Sequence, residues 1–140
     1  MSFANRIKKF CWFLILPFFR FIRRTPGFHY LITNPGRQPY FFGKLKKEVA
    51  HEDFLAYLKK TGFQAAYDAW IDNGEVISLR LLKNFEWQYH IRLFHDGEVR
   101  GHFERTPEAH PFAHFLDNGM HQNKEEFLVL LSGWVDEIKA

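Results

Sequence analysis

Between Phe63 and Arg105 apolar and polar residues alternate with a period of two, and the run is broken at Asp72-Asn73-Gly74 and at His95-Asp96-Gly97. Such alternation belongs to strands that bury one face, and Asn-Gly or Asp-Gly between them is hairpin chemistry. The stretch predicts four antiparallel strands near 64 to 71, 75 to 82, 86 to 94 and 98 to 105. A slip of one residue exchanges the faces, so the register follows from the loop lengths that keep apolar residues together. A three-residue loop, His95-Asp96-Gly97 with Gly97 left-handed, sets Leu93 against Val99, Ile91 against Gly101 and Tyr89 against Phe103. A two-residue turn would instead place those apolar residues beside Arg100, His102 and Glu104. The same test sets Ala69 against Ile77 and Tyr67 against Leu79, and a Lys83-Asn84-Phe85 loop sets Leu79 against Tyr89 and Leu81 against Trp87. One face then carries Tyr67, Ala69, Ile71, Ile77, Leu79, Leu81, Trp87, Tyr89, Ile91, Leu93, Val99 and Phe103, and is the core face.

On the opposite face, these registers put Asp68, Ser78, His90 and His102 in one row. Ala66, Arg80, Gln88 and Glu104 form the row to one side, and Trp70, Val76, Arg92 and Arg100 the row to the other. Rows on one face lie about 7 Å apart and strands about 4.8 Å apart, close enough for these groups to share one small ligand. Two histidines with a carboxylate suit zinc or a similar metal; imidazoles beside Arg92 and Arg100 suit a phosphate or carboxylate. The plainer expectation is an ordinary solvated face, because an exposed sheet surface alternates polar residues anyway. Ser78 between Asp68 and His90 is not read as a catalytic triad, since a flat mid-strand serine lacks an exposed elbow and an oxyanion hole.

Residues 46 to 61 carry a helical stripe of Val49, Phe54, Leu55 and Leu58, closed by Lys59, Lys60 and Gly62. Asn123-x-x-Glu126 reads as a capping box for a last helix over 123 to 138, with Phe127, Leu130, Leu131, Trp134 and Ile138 inward. Phe28 to Thr33 and Gln38 to Phe42 read as a hairpin around Asn34-Pro35-Gly36-Arg37. His110 and His114, four apart with Glu108 nearby, resemble half of a zinc arrangement, but Pro107 and Pro111 favour a rigid connection. The fold expected is α+β: a four-stranded antiparallel meander, extended by the N-terminal hairpin, with helices on one face and a basic aromatic helix in front.

That front segment concentrates the charge. Residues 1 to 24 contain Arg6, Lys8, Lys9, Arg20, Arg23 and Arg24 and no acid, whereas residues 25 to 140 hold 13 bases and 16 acids. The pI of about 9.0 therefore belongs to the segment, and the body offers no general basic surface for nucleic acid. Thr25-Pro26-Gly27 marks the boundary, giving an N-terminal segment, 1 to 24, and one α+β domain, 25 to 140. The uninterrupted apolar run Phe10 to Phe19 spans about 15 Å as helix, half of a bilayer core, so a spanning helix is disfavoured. Helical spacing groups Phe3, Ile7, Phe10, Leu14, Phe18 and Phe21 in a stripe, and Pro17 is expected to kink the helix or divide it.

Bases on both flanks suit anionic lipid, with Arg6, Lys8, Lys9, Phe10, Trp12, Phe13, Phe18, Arg20, Arg23 and Arg24 as the lipid-facing set. A helix packed on its own domain or on a partner protein is the competing expectation. The single cysteine, Cys11, excludes an intrachain disulfide and a multi-thiolate zinc site. No phosphate loop, GxSxG or HExxH is present. The function expected is a non-enzymatic binding or adaptor domain held at a membrane, on its cytoplasmic face. It would present His90, His102, Asp68, Ser78, Arg80, Arg92, Arg100 and Glu104 to a partner protein or anionic ligand. The alternative is a small metal-dependent or histidine-based hydrolase of a phosphorylated substrate, with Arg92 and Arg100 as anion clamps.

Overall fold

The computed structural model describes residues 1–22, 39–65, 73–111, 114, 121 and 123–136. Their elements run α1 (Phe3–Ile22), β1 (Tyr40–Lys44), α2 (His51–Lys60), β2 (Gln64–Ala65), β3 (Glu75–Leu82), β4 (Trp87–Phe94), β5 (Glu98–Arg105) and α3 (Lys124–Leu131). β2 to β5 form the meander, and β1 adds at the outer edge of β5, so the antiparallel sheet has five strands in the order β1-β5-β4-β3-β2 rather than four. β1 falls near the second strand of the expected hairpin. Its first strand, the boundary near Thr25 and residues 66 to 72 lie outside the described residues.

The β4–β5 hairpin has the expected register, with Leu93 opposite Val99 and Gly97 left-handed at φ +82°. The β3–β4 pairing differs from expectation by two residues: Leu79 faces Ile91 and Leu81 faces Tyr89. Asn84 explains the shift. Its side-chain Oδ1 accepts hydrogen bonds from the backbone N–H of Glu86 (2.8 Å) and Trp87 (2.9 Å), so the loop closes between Lys83 and Trp87. An offset of two leaves every side chain on its expected face but slides the rows along the strands. β2 is offset in the same way, with Ala65 rather than Tyr67 opposite Leu79.

The core face is the one read from the sequence. Ile77, Leu79, Tyr89, Ile91, Leu93 and Val99 are buried with Phe42 of β1, Phe54 and Leu58 of α2, and Phe127 and Leu131 of α3. Phe127 stacks on Phe42 at 4.5 Å and meets Tyr89 edge-on at 5.4 Å. Trp134 stacks on Tyr57 at 4.5 Å, and the Tyr57 hydroxyl donates to the Leu130 carbonyl at 2.6 Å, tying α2 to α3. Each large side chain so buried contributes about 1.5–3 kcal/mol, which holds both helices on this face. Residue 101 must be glycine for β5 to run beneath them. A Cβ there would lie 2.5 Å from the His90 carbonyl oxygen and within 3.2 Å of both the Phe42 and Phe127 rings.

Both helices are shorter than their stripes predict, because backbone at their ends bonds elsewhere. Leu45 bridges Val135 and the Lys46 N–H donates to the Trp134 carbonyl at 3.0 Å, so α2 starts only at His51. Gly133, at φ +86°, turns the chain after α3 so that Val135 reaches Leu45. The expected capping box is not formed: Asn123 is left-handed, and its amide donates to the Tyr89 hydroxyl at 3.3 Å. α1 is one element of 20 residues with Pro17 inside it, so the proline does not divide the helix into two pieces. Among the described residues no helix is long and apolar enough to cross a membrane.

Candidate functional site

The polar face of the sheet is covered, which overturns its reading as a solvated surface. Arg80, Gln88, His90, Arg92, His102 and Glu104 are each at most 9% exposed. The cover is the segment after β5, where Thr106, Pro107, Glu108 and Ala109 are buried in turn. Thr106 fixes its start by donating its N–H to the Glu86 carbonyl and its hydroxyl to the Phe85 carbonyl, at 2.8 and 2.5 Å. The chain then folds back so that Glu108 meets Arg80 and His114 reaches Glu104.

A chain of side-chain contacts results. Arg80 donates to both carboxylate oxygens of Glu108 and also to Gln88 Oε1 at 3.1 Å. Gln88 passes its own amide to Glu104 Oε1 at 2.8 Å. Three imidazoles stand around that carboxylate: His90 Nδ1 at 3.6 Å, His102 Nε2 at 3.2 Å and His114 Nδ1 at 3.5 Å. His90 and His102 are a register pair, their rings 5.0 Å apart and nearly perpendicular. Ser78 Oγ lies 3.0 Å from His90 Nε2. His114 Nδ1 lies 2.8 Å from the Arg105 carbonyl oxygen, which orients that ring. His102 Nδ1 is buried with no hydrogen-bond partner among the described residues.

Burial sets the protonation. Loss of solvent brings His90 down to about 3; the Glu104 carboxylate pulls the other way, while Arg92 and His102 add to the decrease. The ring is therefore neutral. The tautomer with its proton on Nδ1, facing Glu104, leaves Nε2 to accept from the Ser78 hydroxyl. For Glu104, burial acts upward, but His114, His102 and His90 together outweigh it and hold the carboxyl well below its ordinary value. Glu104 is an anion inside the protein.

Of the residues singled out from sequence, His90, His102, Ser78, Arg80 and Glu104 come together. The shifted β3 register puts Arg80, not Ser78, directly opposite His90. Arg92 faces Glu75 at 3.8 Å, because a bulge between Glu75 and Ile77 turns that acid to the polar side. Arg100 sits at the rim, bonded to Glu98 and 5.0 Å from the Phe94 ring. Asp68 lies outside the described residues. Glu75, Glu108 and His114 were not placed in the site by sequence; the only signal was a proline turn directly after β5, which hides where the following acid and histidine land.

Along α1, residues three or four apart share a side at about 100° per residue. Phe3, Ile7, Phe10, Leu14, Phe18 and Phe21 form the expected stripe, and all six are between 48% and 78% exposed. Trp12 and Leu16, on the opposite side, are buried, which corrects the expectation that Trp12 faces lipid. Phe13 and Arg6 are exposed beside the stripe, Lys8 is exposed nearer the side of Trp12, and Lys9 is half-buried. The Arg20 side chain, Arg23 and Arg24 lie outside the described residues. No protein-family model, curated protein or solved structure matches the chain.

Proposed function

We propose that the chain is a non-enzymatic binding domain held on an anionic membrane surface by α1, which lies in the headgroup region on the cytoplasmic side. One observation carries this reading: six apolar side chains on one side of α1 are exposed, while Trp12 and Leu16 on the other are buried. A helix that served only its own domain would turn its aromatic stripe inward. Exposed bases flanking such a stripe are the arrangement that draws a helix onto anionic lipid and keeps it in the interface plane. The polar sheet face is not offered to a macromolecule in this reading, because residues 106 to 109 cover it. The hydrolase alternative draws no support from the arginines, since Arg80 and Arg92 face Glu108 and Glu75.

The test is flotation of the full chain on phosphatidylcholine vesicles with and without phosphatidylserine, beside the variant Phe10→Asp/Leu14→Asp. The wild-type chain is expected to float with the anionic vesicles and the variant to stay behind at equal thermal stability. A wild-type chain that does not float, or that elutes as a dimer which the same substitutions dissolve, overturns the reading in favour of a protein–protein contact.

A further inference from the structure

Three ligand-type side chains converge under the cover. His90 and His102 are a register pair with rings 5.0 Å apart, and both face the Glu104 carboxylate, His90 Nδ1 at 3.6 Å and His102 Nε2 at 3.2 Å. His102 Nδ1 is buried with no hydrogen-bond partner among the described residues. Two imidazoles and a carboxylate gathered at one buried point are a donor set that a metal ion can use.

We propose that His90, His102 and Glu104 form a binding site for one divalent first-row transition ion, with Zn2+ as its ordinary occupant. One ligand atom from each residue can be chosen so that all lie within 4.8 Å of one another. Bonds of about 2.0–2.1 Å bring the ligands of a tetrahedral ion to roughly 3.4 Å apart, so the ion would draw these groups in by up to about 1.4 Å. Two imidazole nitrogens and one carboxylate oxygen form a borderline donor set that favours zinc, iron or cobalt; magnesium and calcium require oxygen throughout. For His90 to bind through Nδ1 its proton moves to Nε2, where it is donated to Ser78 Oγ, and His102 binds through Nε2 with its proton on Nδ1.

The surroundings fit ligands that are held in place. Ser78 orients His90, Gln88 orients the Glu104 carboxylate, and His114 stands 3.5 Å from the oxygen that His102 also faces. The three ligand side chains are each at most 6% exposed, so the ion would lie inside the fold and clip β4 to β5 through three protein ligands. The inference is independent of membrane binding.

The experiment uses the full chain, stripped with a chelator and titrated with Zn2+ against a chromophoric competitor. About one equivalent is expected to bind, with a raised thermal midpoint. His102→Gln and Glu104→Gln are each expected to weaken binding by about 100-fold or more, whereas His95→Ala, an exposed loop histidine, leaves it unchanged. Should the buried variants fail to fold, long-range nitrogen–proton NMR spectra of the unsubstituted chain identify the histidines that shift on zinc addition; these should be His90 and His102. No stoichiometric binding, or shifts confined to His51, His95, His110 or His121, overturns the proposal.

Discussion

Arg80 and Glu108 meet at two points, with guanidinium nitrogens 2.7 and 3.1 Å from the two carboxylate oxygens and neither side chain more than 6% exposed. Arg80 belongs to the middle of β3, whereas Glu108 belongs to the segment that closes over the polar face. The pair therefore ties that segment to the sheet. Removing one partner leaves a buried charge uncompensated, so Glu108→Ala is expected to destabilise the chain by about 3–5 kcal/mol. Arg80→Met/Glu108→Leu should recover most of that loss. Urea unfolding of the three proteins measures both, and a single variant as stable as wild type would contradict the pair's burial.

The buried imidazole and carboxylate predict how stability responds to acid in chelator-treated protein. His90 titrates at about 3 in the folded state against 6.5 ordinarily, so below about 6.5 the unfolded chain takes up a proton that the folded chain refuses. Glu104 is likewise depressed in the folded state, so its contribution is present above its ordinary value of 4.5 and is lost as pH falls toward the folded value. Both effects have the same sign. Stability should fall as pH drops below about 6.5, with up to about 1.4 kcal/mol per pH unit from each group. Denaturant midpoints between pH 7 and pH 4 test this, and a midpoint that rises on acidification would refute it.

Gly101 tolerates no side chain, for a steric reason and not a conformational one. Gly101→Ala pushes a methyl group to 2.5 Å from the His90 carbonyl oxygen with two rings behind it, and β5 must move away from β4. The expected loss is about 1–3 kcal/mol, the range for overpacking a filled core, read from the shift in urea midpoint.

On α1, Phe10 and Trp12 should separate anchoring from folding. Phe10 is 64% exposed and Trp12 1% exposed. Phe10→Ala is expected to weaken partitioning onto anionic vesicles at unchanged thermal stability. Trp12→Ala should lower stability by about 3–5 kcal/mol, as for other large buried aromatics. Arg6→Gln and Lys8→Gln are each expected to reduce anionic-vesicle binding about 5-fold at low salt and to have no effect on neutral vesicles, since each base near the surface contributes about 1 kcal/mol. Vesicle co-sedimentation and thermal melts together decide among these outcomes.

The sheet was legible because its two faces are chemically distinct and its turns announce themselves. The apolar pattern together with a loop that places Gly97 left-handed gives the β4–β5 register, and with it the His90–His102 pair. The β3–β4 register lies two residues from the one hydrophobic matching predicts, because Asn84 settles the loop through hydrogen bonds to backbone. Glu104 neighbours both histidines, whereas the sequence pattern puts Asp68 in their row and Glu104 in the row beside it. The cover over the polar face was not legible at all. It depends on Glu108 finding Arg80 and on His114 finding Glu104, contacts between a strand and an irregular segment that carry no periodic signature. The exposed stripe of α1 was legible in its spacing, but spacing does not say which side of an all-round apolar helix faces out; Trp12 and Leu16 take the inward side.

Leu45 bridges Val135, and the Asp136 N–H donates to the Lys44 carbonyl at 2.8 Å, so β1 is seated by residues about 90 positions further along the chain. At synthesis rates of about 5–20 residues per second, roughly 5 to 20 seconds separate the appearance of one side of this contact from the other. α1 precedes both. On a ribosome the apolar stripe of the α1 sequence emerges while the sheet is still unclosed, so a surface that α1 engages meets the nascent chain before the domain behind it can close.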